Sequence, residues 1–475
     1  MNKFAEHCRQ ILNAEDTNLY HFCSIHNLER TGIRRMLSGE RLPKPELFQS
    51  FVNSLTLTPM ELKKLLDLYE RQKIGDERFE NRIFIKNMLS YIGEIQGFQK
   101  KDLEIKIGNW DMPVEQVVPL TNYMEIVYII QRILQTEKEW IYTNIPMDWS
   151  DFFQILQQEF CIRDNQAVLC HFLPVLKKSE ITFDVNYNLR LMKSILPFAL
   201  QEETKYRPYY YYSNFSGRDS VSLYPFYLLS SEYLLLLGEN QRTGLLYKNQ
   251  DVLRMYRQEI MRLRERARPF VFKSENPQGA LEYYIKKCVL VSQPVYTLEY
   301  FPCIFHGYDK ELFYPYLKNK DGQKSSSLIQ NAELLVKSIM EYKPYDAFIS
   351  KEGFDRFADK GELSGQFMEV LNPFPKEVRR EILRRITERC REGMYRLHLV
   401  PEDFLSPFPK IGLELYENRT IVLISCEEVN SYSILDEKTL FGAFEDYFCS
   451  ILENPEVTTV EETIQYLEEL QRMLE

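Results

Sequence analysis

Apolar residues recur at helical intervals from Asn2 to about Tyr69, interrupted by short polar turns, and this pattern predicts a compact bundle of five short helices. The first covers about Phe4–Leu12. Asp16, Thr17 and Asn18 supply cap candidates for a second helix that turns Leu19, Phe22 and Cys23 inward. Asn27 stands where that helix must end in a left-handed residue. Leu28 plugs the turn, and a third helix buries Ile33, Met36 and Leu37 before Gly39 closes it. Its other face carries Arg30, Thr31, Arg34 and Arg35. Helices four and five follow over about Glu46–Leu55 and Pro59–Tyr69.

Helical spacing continues through Gln72–Gln99 (Phe79, Ile83, Ile85, Met88, Leu89, Ile92), and Lys100–Asp111 reads as a polar break that ends a domain near residue 100. Beyond it helices alternate with strand-like runs: Thr121–Thr136 helix, Trp140–Asn144 strand, Ser150–Phe160 helix, Ala167–Pro174 strand, Asn186–Leu200 helix. Such alternation predicts α/β layers rather than stacked helical repeats. Two later segments superpose without a gap: Leu234-Leu235-Leu236 on Val422-Leu423-Ile424, Leu246 on Ile434, Tyr256 on Phe444, Leu263 on Ile451. Each reads as strand, turn (Gly238–Arg242 or Glu427–Asn430), strand and amphipathic helix, preceded by a further extended run, Pro225–Leu229 or Ile411–Tyr416. Two readings fit, a duplicated α/β unit or two instances of a common supersecondary motif. A duplicated pair would leave a crevice between its halves, the usual place for a small ligand.

At 475 residues, 44% hydrophobic and 27% charged, the chain has the composition of a globular protein of two to four domains. The longest apolar stretches, such as Tyr233–Leu237 and Thr420–Ser425, are far shorter than a membrane helix needs. Lacking an apolar leader, the chain is expected in the cytoplasm. Nine scattered cysteines without a Cys-x-x-Cys pair predict buried thiols. A net charge of -10 excludes general coating of nucleic acid, so any contact with DNA must be local.

A short helix with an arginine-rich outer face, set behind a tight turn, is what a reader of the major groove requires. The segment from Phe22-Cys23-Ser24 to Gly39-Glu40-Arg41-Leu42-Pro43, with helices four and five, resembles the DNA-binding domain of the phage repressor and Cro type, the XRE family of bacterial helix-turn-helix regulators. Cys23 stands at the family's small alanine position, Asn27 at its turn glycine, Leu28 and Ile33 at its core aliphatics, and Gly39 at the glycine after the recognition helix. Leu19, Glu29 and Leu37 depart from the family's polar, Ser/Thr cap and glutamate positions. The resemblance implies an all-α domain over 1–75 that binds double-stranded DNA as a homodimer. Glu29, Arg30, Thr31, Arg34 and Arg35 would lie at the groove, and Arg41 and Lys44 at phosphates. The competing reading is a bundle for protein contacts with solvated arginines.

Elsewhere the chemistry is sparse. The phosphate-cradling and nucleophile-elbow motifs are absent, and the six histidines show no metal-site pairing, so no enzyme activity, cofactor or metal is expected. Cys303 and His306 could be read as nucleophile and base, but their neighbours are apolar and strand-like, as for a core cysteine. Glu427-Glu428, Glu461-Glu462 and Glu468-Glu469 read as solvated charge. Pro208-Tyr209-Tyr210-Tyr211-Tyr212, followed by a polar turn through Asp219, suits a half-buried edge strand or a ligand platform. Arg379–Arg391 makes either a salt-bridged surface helix or a contact for DNA flanks or an acidic partner.

The fold class expected is therefore multidomain: the helix-turn-helix domain, a helical connector over 76–100, and an α/β (α+β) region of two units, 101–270 and 271–475, serving as sensor or dimerisation body. A small-molecule or peptide effector is expected, its site unassigned, and no membrane. The alternatives are a peptide-sensing regulator with a helical-repeat body, an enzyme fused to a DNA-binding head, and an interaction protein that does not bind DNA.

Overall fold

A computed structural model describes the chain apart from residues 1, 16–17, 98–111, 164, 178–185, 200–204, 214–221, 273–279, 319–322, 365–370, 426–431 and 436. The chain forms two compact units, Met1–Ile83 and Phe84–Glu475.

In the first unit α1 (Lys3–Ala14) is capped by the Asn2 side chain, which accepts from Ala5 N at 3.1 Å, and α2 (Leu19–Ile25) by Asn18, which accepts from His21 N at 2.9 Å. The other cap candidates, Asp16 and Thr17, lie outside the described residues. Asn27 takes the expected left-handed conformation (φ 53°), and Leu28 N then donates to Cys23 O at 2.9 Å. These two features fix the turn into α3 (Arg30–Ser38), which ends at Gly39 with φ 76°. There follow α4 (Pro45–Asn53) and α5 (Pro59–Ile74), the latter opened by a reciprocal Thr58 and Glu61 cap. Next is α6 (Asp76–Gly97), within which the division between the units falls. Phe4, Cys8, Phe22, Ile33, Met36, Phe51 and Leu65 form the core. Each large apolar side chain buried there contributes roughly 2 kcal/mol.

The second unit contains two mixed sheets. The first is built from β1 (Val117–Leu120), α7 (Tyr123–Thr136), β2 (Trp140–Thr143), α8 (Ser150–Gln157) with a π turn to Ile162, β3 (Val168–Leu176), α9 (Tyr187–Ala199), β4 (Tyr206–Ser213), β5 (Phe226–Leu229), β6 (Leu234–Leu237), β7 (Gly244–Tyr247), α10 (Gln250–Arg266) and β8 (Arg268–Pro269). Its strand order is β1-β7-β6-β5-β2-β3-β4-β8. The second comprises α11 (Ala280–Tyr284) with a π turn to Val289, β9 (Pro294–Glu299), α12 (Lys310–Phe313), α13 (Gln323–Glu341), β10 (Asp346–Ser350), α14 (Lys351–Lys360), α15 (Lys376–Arg391), β11 (Arg396–Val400), β12 (Ile411–Tyr416), β13 (Ile421–Ser425), β14 (Tyr432–Leu435), α16 (Lys438–Leu452) and α17 (Val460–Met473). Its order is β11-β10-β9-β12-β13-β14.

The six central strands of the first sheet repeat in the second. In each, three strands pair in parallel across helical crossovers (β2, β3, β4 and β9, β10, β11). The first of the three then pairs antiparallel with a three-stranded meander (β5, β6, β7 and β12, β13, β14). The gapless superposition in the sequence is thus a repeated topology, covering more of the chain than the matched segments alone. The helices after the two meanders differ. Leu253 and Ile260 of α10 pack with Leu234 and Leu236, whereas Leu440, Phe444 and Phe448 of α16 join the cluster of Leu413 and Leu423. Leu423 corresponds to Leu235, and neighbouring strand residues face opposite ways, so the two helices cover opposite faces of equivalent sheets. A single core takes Leu169, Val175 and Leu235 from the first sheet and Leu298, Phe348 and Leu413 from the second. Tyr212 Oη donates across to Glu437 Oε1 at 3.0 Å.

Candidate nucleic-acid interface

α3 is amphipathic by design of its sequence: Ile33, Met36 and Leu37 are buried and anchor it, and the intervening positions Arg30, Thr31, Arg34 and Arg35 are exposed. Gly32 permits close packing of α3 on α4, since a Cβ there would stand 2.5 Å from Leu47 Cδ2. The C-terminal end of α3 is held twice. Gly39 and Glu40 N–H groups return to the last turn, and the Arg9 guanidinium donates to Leu37 O, placing a cation at the negative pole of the helix. The loop that follows is pinned to α5. Tyr69 Oη donates to Pro43 O at 3.2 Å, and its ring stacks on Phe48 with 3.8 Å between centroids. The outcome is a rigidly supported helix whose outer face is basic.

Every residue proposed from sequence for DNA contact lies at the surface: Glu29, Arg30, Thr31, Arg34 and Arg35 on or beside α3, and Arg41 and Lys44 in the loop after it. Glu29 is the residue before α3 but makes no side-chain cap, as its departure from Ser or Thr at that place foretells. Arg35 Nε lies 3.7 Å from Glu40 Oε1, an exposed pair worth little in water. Arg34, Arg41 and Lys44 have no ion pair with any described residue. The sequence reading missed Tyr20. It is 66% exposed on the first turn of α2, and Arg30 lies 5.3 Å over its ring, which fixes the guanidinium at the mouth of the basic face. An aromatic at a non-core position of α2 was the available signal.

The other sequence candidates resolve differently. Cys303 and His306 are not strand residues: β9 ends at Glu299, and Ile304–Gly307 is a 3-10 turn. Burial and the charge of Glu299 raise the Cys303 thiol well above its ordinary range, the opposite of an activated nucleophile. His306 Nε2 is 2.9 Å from Tyr345 Oη, and burial lowers the imidazole well below its ordinary value. The tyrosine run forms β4, which is covered on both sides at Tyr209 and Tyr210 because the short β8 pairs there, so it is not a simple edge. The rest of that segment, Asn214–Asp219, lies outside the described residues, as do Glu427–Asn430. In α15, Arg379 and Arg389 are buried and Arg384, Arg385 and Arg391 pair with Glu381, Glu388, Asp309 and Glu468. Among the described residues no three His, Cys, Asp or Glu side chains group to hold a metal ion, and no helix is long and apolar enough to cross a membrane.

No protein-family pattern matches the chain, and no curated protein does. Among the solved structures that overlap it in part are the two that follow. One is the archaeal chromatin protein TrmBL2, described as showing a novel mode of DNA binding, with 14% identity over 45% of this chain and 72% of that chain, at a TM-score of 0.22. The other is the phosphatidylserine synthase of Haemophilus influenzae Rd KW20, with 10% identity over 76% of this chain and 93% of that chain, at a TM-score of 0.24. Scores this low fall beneath those of a shared fold, and the functional reading rests on the residues themselves.

Proposed function

We propose that the chain is a DNA-binding transcriptional regulator of the helix-turn-helix type, in which α3 enters the major groove of double-stranded DNA. The observation that carries this reading is the exposed face of Arg30, Thr31, Arg34 and Arg35, presented by a helix whose inner face and C-terminus are both locked. Arginines on such a face grip guanine edges, each bidentate contact discriminating by about 1–3 kcal/mol, or neutralise phosphates. Arg41 and Lys44 hold the adjacent backbone, and Tyr20 orients Arg30. One such patch supplies a small contact, so two copies read a two-fold site as a homodimer. The second unit serves as the sensing or dimerisation body, without enzymatic turnover.

Binding of the full-length protein to fragments of its own upstream region, followed by fluorescence anisotropy across a salt series, tests the reading. Wild type is expected to bind selectively with log affinity falling linearly in log salt. Arg34→Ala with Arg35→Ala is expected to lower affinity at least tenfold and to reduce the salt slope by about 2 per recognition helix. Binding indifferent to the double substitution, or none, would leave the bundle a protein-contact module.

A further inference from the structure

The second sheet of the large unit carries a pair of acidic side chains that the DNA reading does not use. Glu299 of β9 and Glu414 of β12 lie on central strands. Glu299 sits opposite Gly412 and Glu414 opposite Thr297, so the two carboxylates share one face as diagonal neighbours, about 7 Å apart at their Cβ atoms. Gly412, opposite Glu299, carries no side chain, and the Ile424 side chain packs beside it, 3.4 Å from where a Cβ would stand. Glu414 is the one half-buried residue of an otherwise buried β12, and Glu299 is half-buried at the end of β9, as are Val295 and Tyr296 earlier in that strand and nearby Cys303. A partly open side chain on a covered central strand means that a hollow reaches it between the covering elements.

The groups around the pair do not neutralise it. Tyr284 and Tyr416 both donate to Glu414 Oε2, at 2.7 and 2.8 Å, and Oε1 has no hydrogen-bond partner among the described residues. Neither carboxylate has an ion pair with a described residue. Burial first, and then the charge of Glu414, push the Glu299 carboxyl up to about 8, with Thr297 opposing; burial also raises Glu414. A second, independent sign is the orphaned Tyr395 hydroxyl. It is buried, interacts with Glu299 and Cys303, and makes no hydrogen bond, while the ring of His306, itself with Nδ1 unpartnered, stacks on it at 3.6 Å. Buried polar groups are nearly always paired, and two adjacent carboxylates with no cation are costly.

We infer that this hollow binds a small organic cation, its ammonium group seated between Glu299 and Glu414 and against the rings of Tyr284 and Tyr416. Aromatic walls and two carboxylates are the chemistry that recognises an alkylammonium ion. The absence of a third ligating side chain among the described residues disfavours a metal ion. The inference is independent of the DNA reading.

Isothermal titration calorimetry of the full chain with butane-1,4-diamine and with tetramethylammonium chloride, each against sodium chloride at matched ionic strength, tests it. Saturable one-to-one binding of either probe is expected. At pH 7 it should release a proton, read from the dependence of the heat on buffer ionisation enthalpy, because the cation draws Glu299 into its charged form. Glu299→Gln and Glu414→Gln are each expected to weaken binding at least tenfold, with Glu461→Gln on α17 unchanged. Failure of both probes to saturate, saturation by magnesium chloride alone, or equal binding by both hollow variants would overturn the inference. So would binding by wild type without proton release, a reading that survives even if the variants do not fold.

Discussion

The two sheets of the large unit share six strands in one order yet differ at a buried histidine and at a central strand position. In the first, His171 is buried with both ring nitrogens engaged, Nδ1 at 2.9 Å from Tyr206 Oη and Nε2 at 2.6 Å from Ile145 O. In the second, His306 is equally buried with Nδ1 unpartnered, and Tyr395 keeps an orphaned hydroxyl. The first strands of the two meanders make the contrast residue by residue. With Leu234 laid on Val422, their partners on the preceding strands coincide, so Leu229 of β5 corresponds to Glu414 of β12. Each copy keeps an orphaned tyrosine hydroxyl, Tyr227 in the first and Tyr395 in the second. What the second copy adds is a carboxylate, Glu414, where the first has the buried Leu229.

The comparison is broken most severely by giving the first sheet the second sheet's residue. Leu229, the counterpart of Glu414, is fully buried in the apolar cluster with Leu234, Leu236 and Leu253. Leu229→Glu removes a packed aliphatic side chain and buries an unpaired carboxylate, and should destabilise the second unit by about 5 kcal/mol or more, comparable to the whole stability of many domains. All three tryptophans lie beyond Ile83, so urea unfolding followed by tryptophan fluorescence reads this unit alone. A loss under about 2 kcal/mol would mean that the first sheet, too, has a hollow able to hydrate a charge.

Next in size is the pH dependence of the second sheet. Glu299 has a folded-state pKa raised to about 8, above its unfolded value, so its neutral form stabilises the fold. That contribution is whole below pH about 4 and lost as pH rises through about 8. Between pH 5 and 8 the stability of the second unit should therefore fall by about 1.4 kcal/mol per pH unit on account of this one proton. Glu299→Gln, which cannot ionise, should flatten that slope. Identical slopes in the two proteins would place the titrating group elsewhere.

How much of this was legible in the sequence follows from the range of the interactions involved. The helix-turn-helix was readable because its determinants are local: Asn18 as cap, Asn27 and Gly39 as left-handed residues, and apolar positions at helical spacing. The exposed arginines followed from the same periodicity, whereas Tyr20 was missed because its value lies in the guanidinium above it. The meanders superposed because the spans between their strands are preserved. The parallel strands β2 to β4 and β9 to β11 escaped that match, since their crossovers differ: a helix with a π turn before β3, but α12 and α13 before β10. The hollow was illegible. Glu299 and Glu414 lie far apart in the chain, each reading as an ordinary charge at the end or in the middle of a strand, and only the pairing of β9 with β12 brings them together.

The smallest expected effect sharpens the contrast between the crossover helices α9 and α15, each of which leads into the third parallel strand of its sheet. α9 buries Leu189, Met192, Ile195 and Leu196 and is apolar on its packed face. α15 adds an outer ladder in which Arg384 makes two 2.7 Å contacts with Glu381 and a further one with Glu388, holding the Glu381 carboxyl down at about 2. The ladder is close to half exposed, so water and salt screen it and its net worth is small. Arg384→Ala should cost no more than about 1 kcal/mol in urea unfolding, less in high salt, and should leave affinity for DNA unchanged, because the arginine is already committed to carboxylates. A tenfold loss of DNA affinity in this variant would instead make α15 a second basic contact and shift part of the recognition from the first unit to the second.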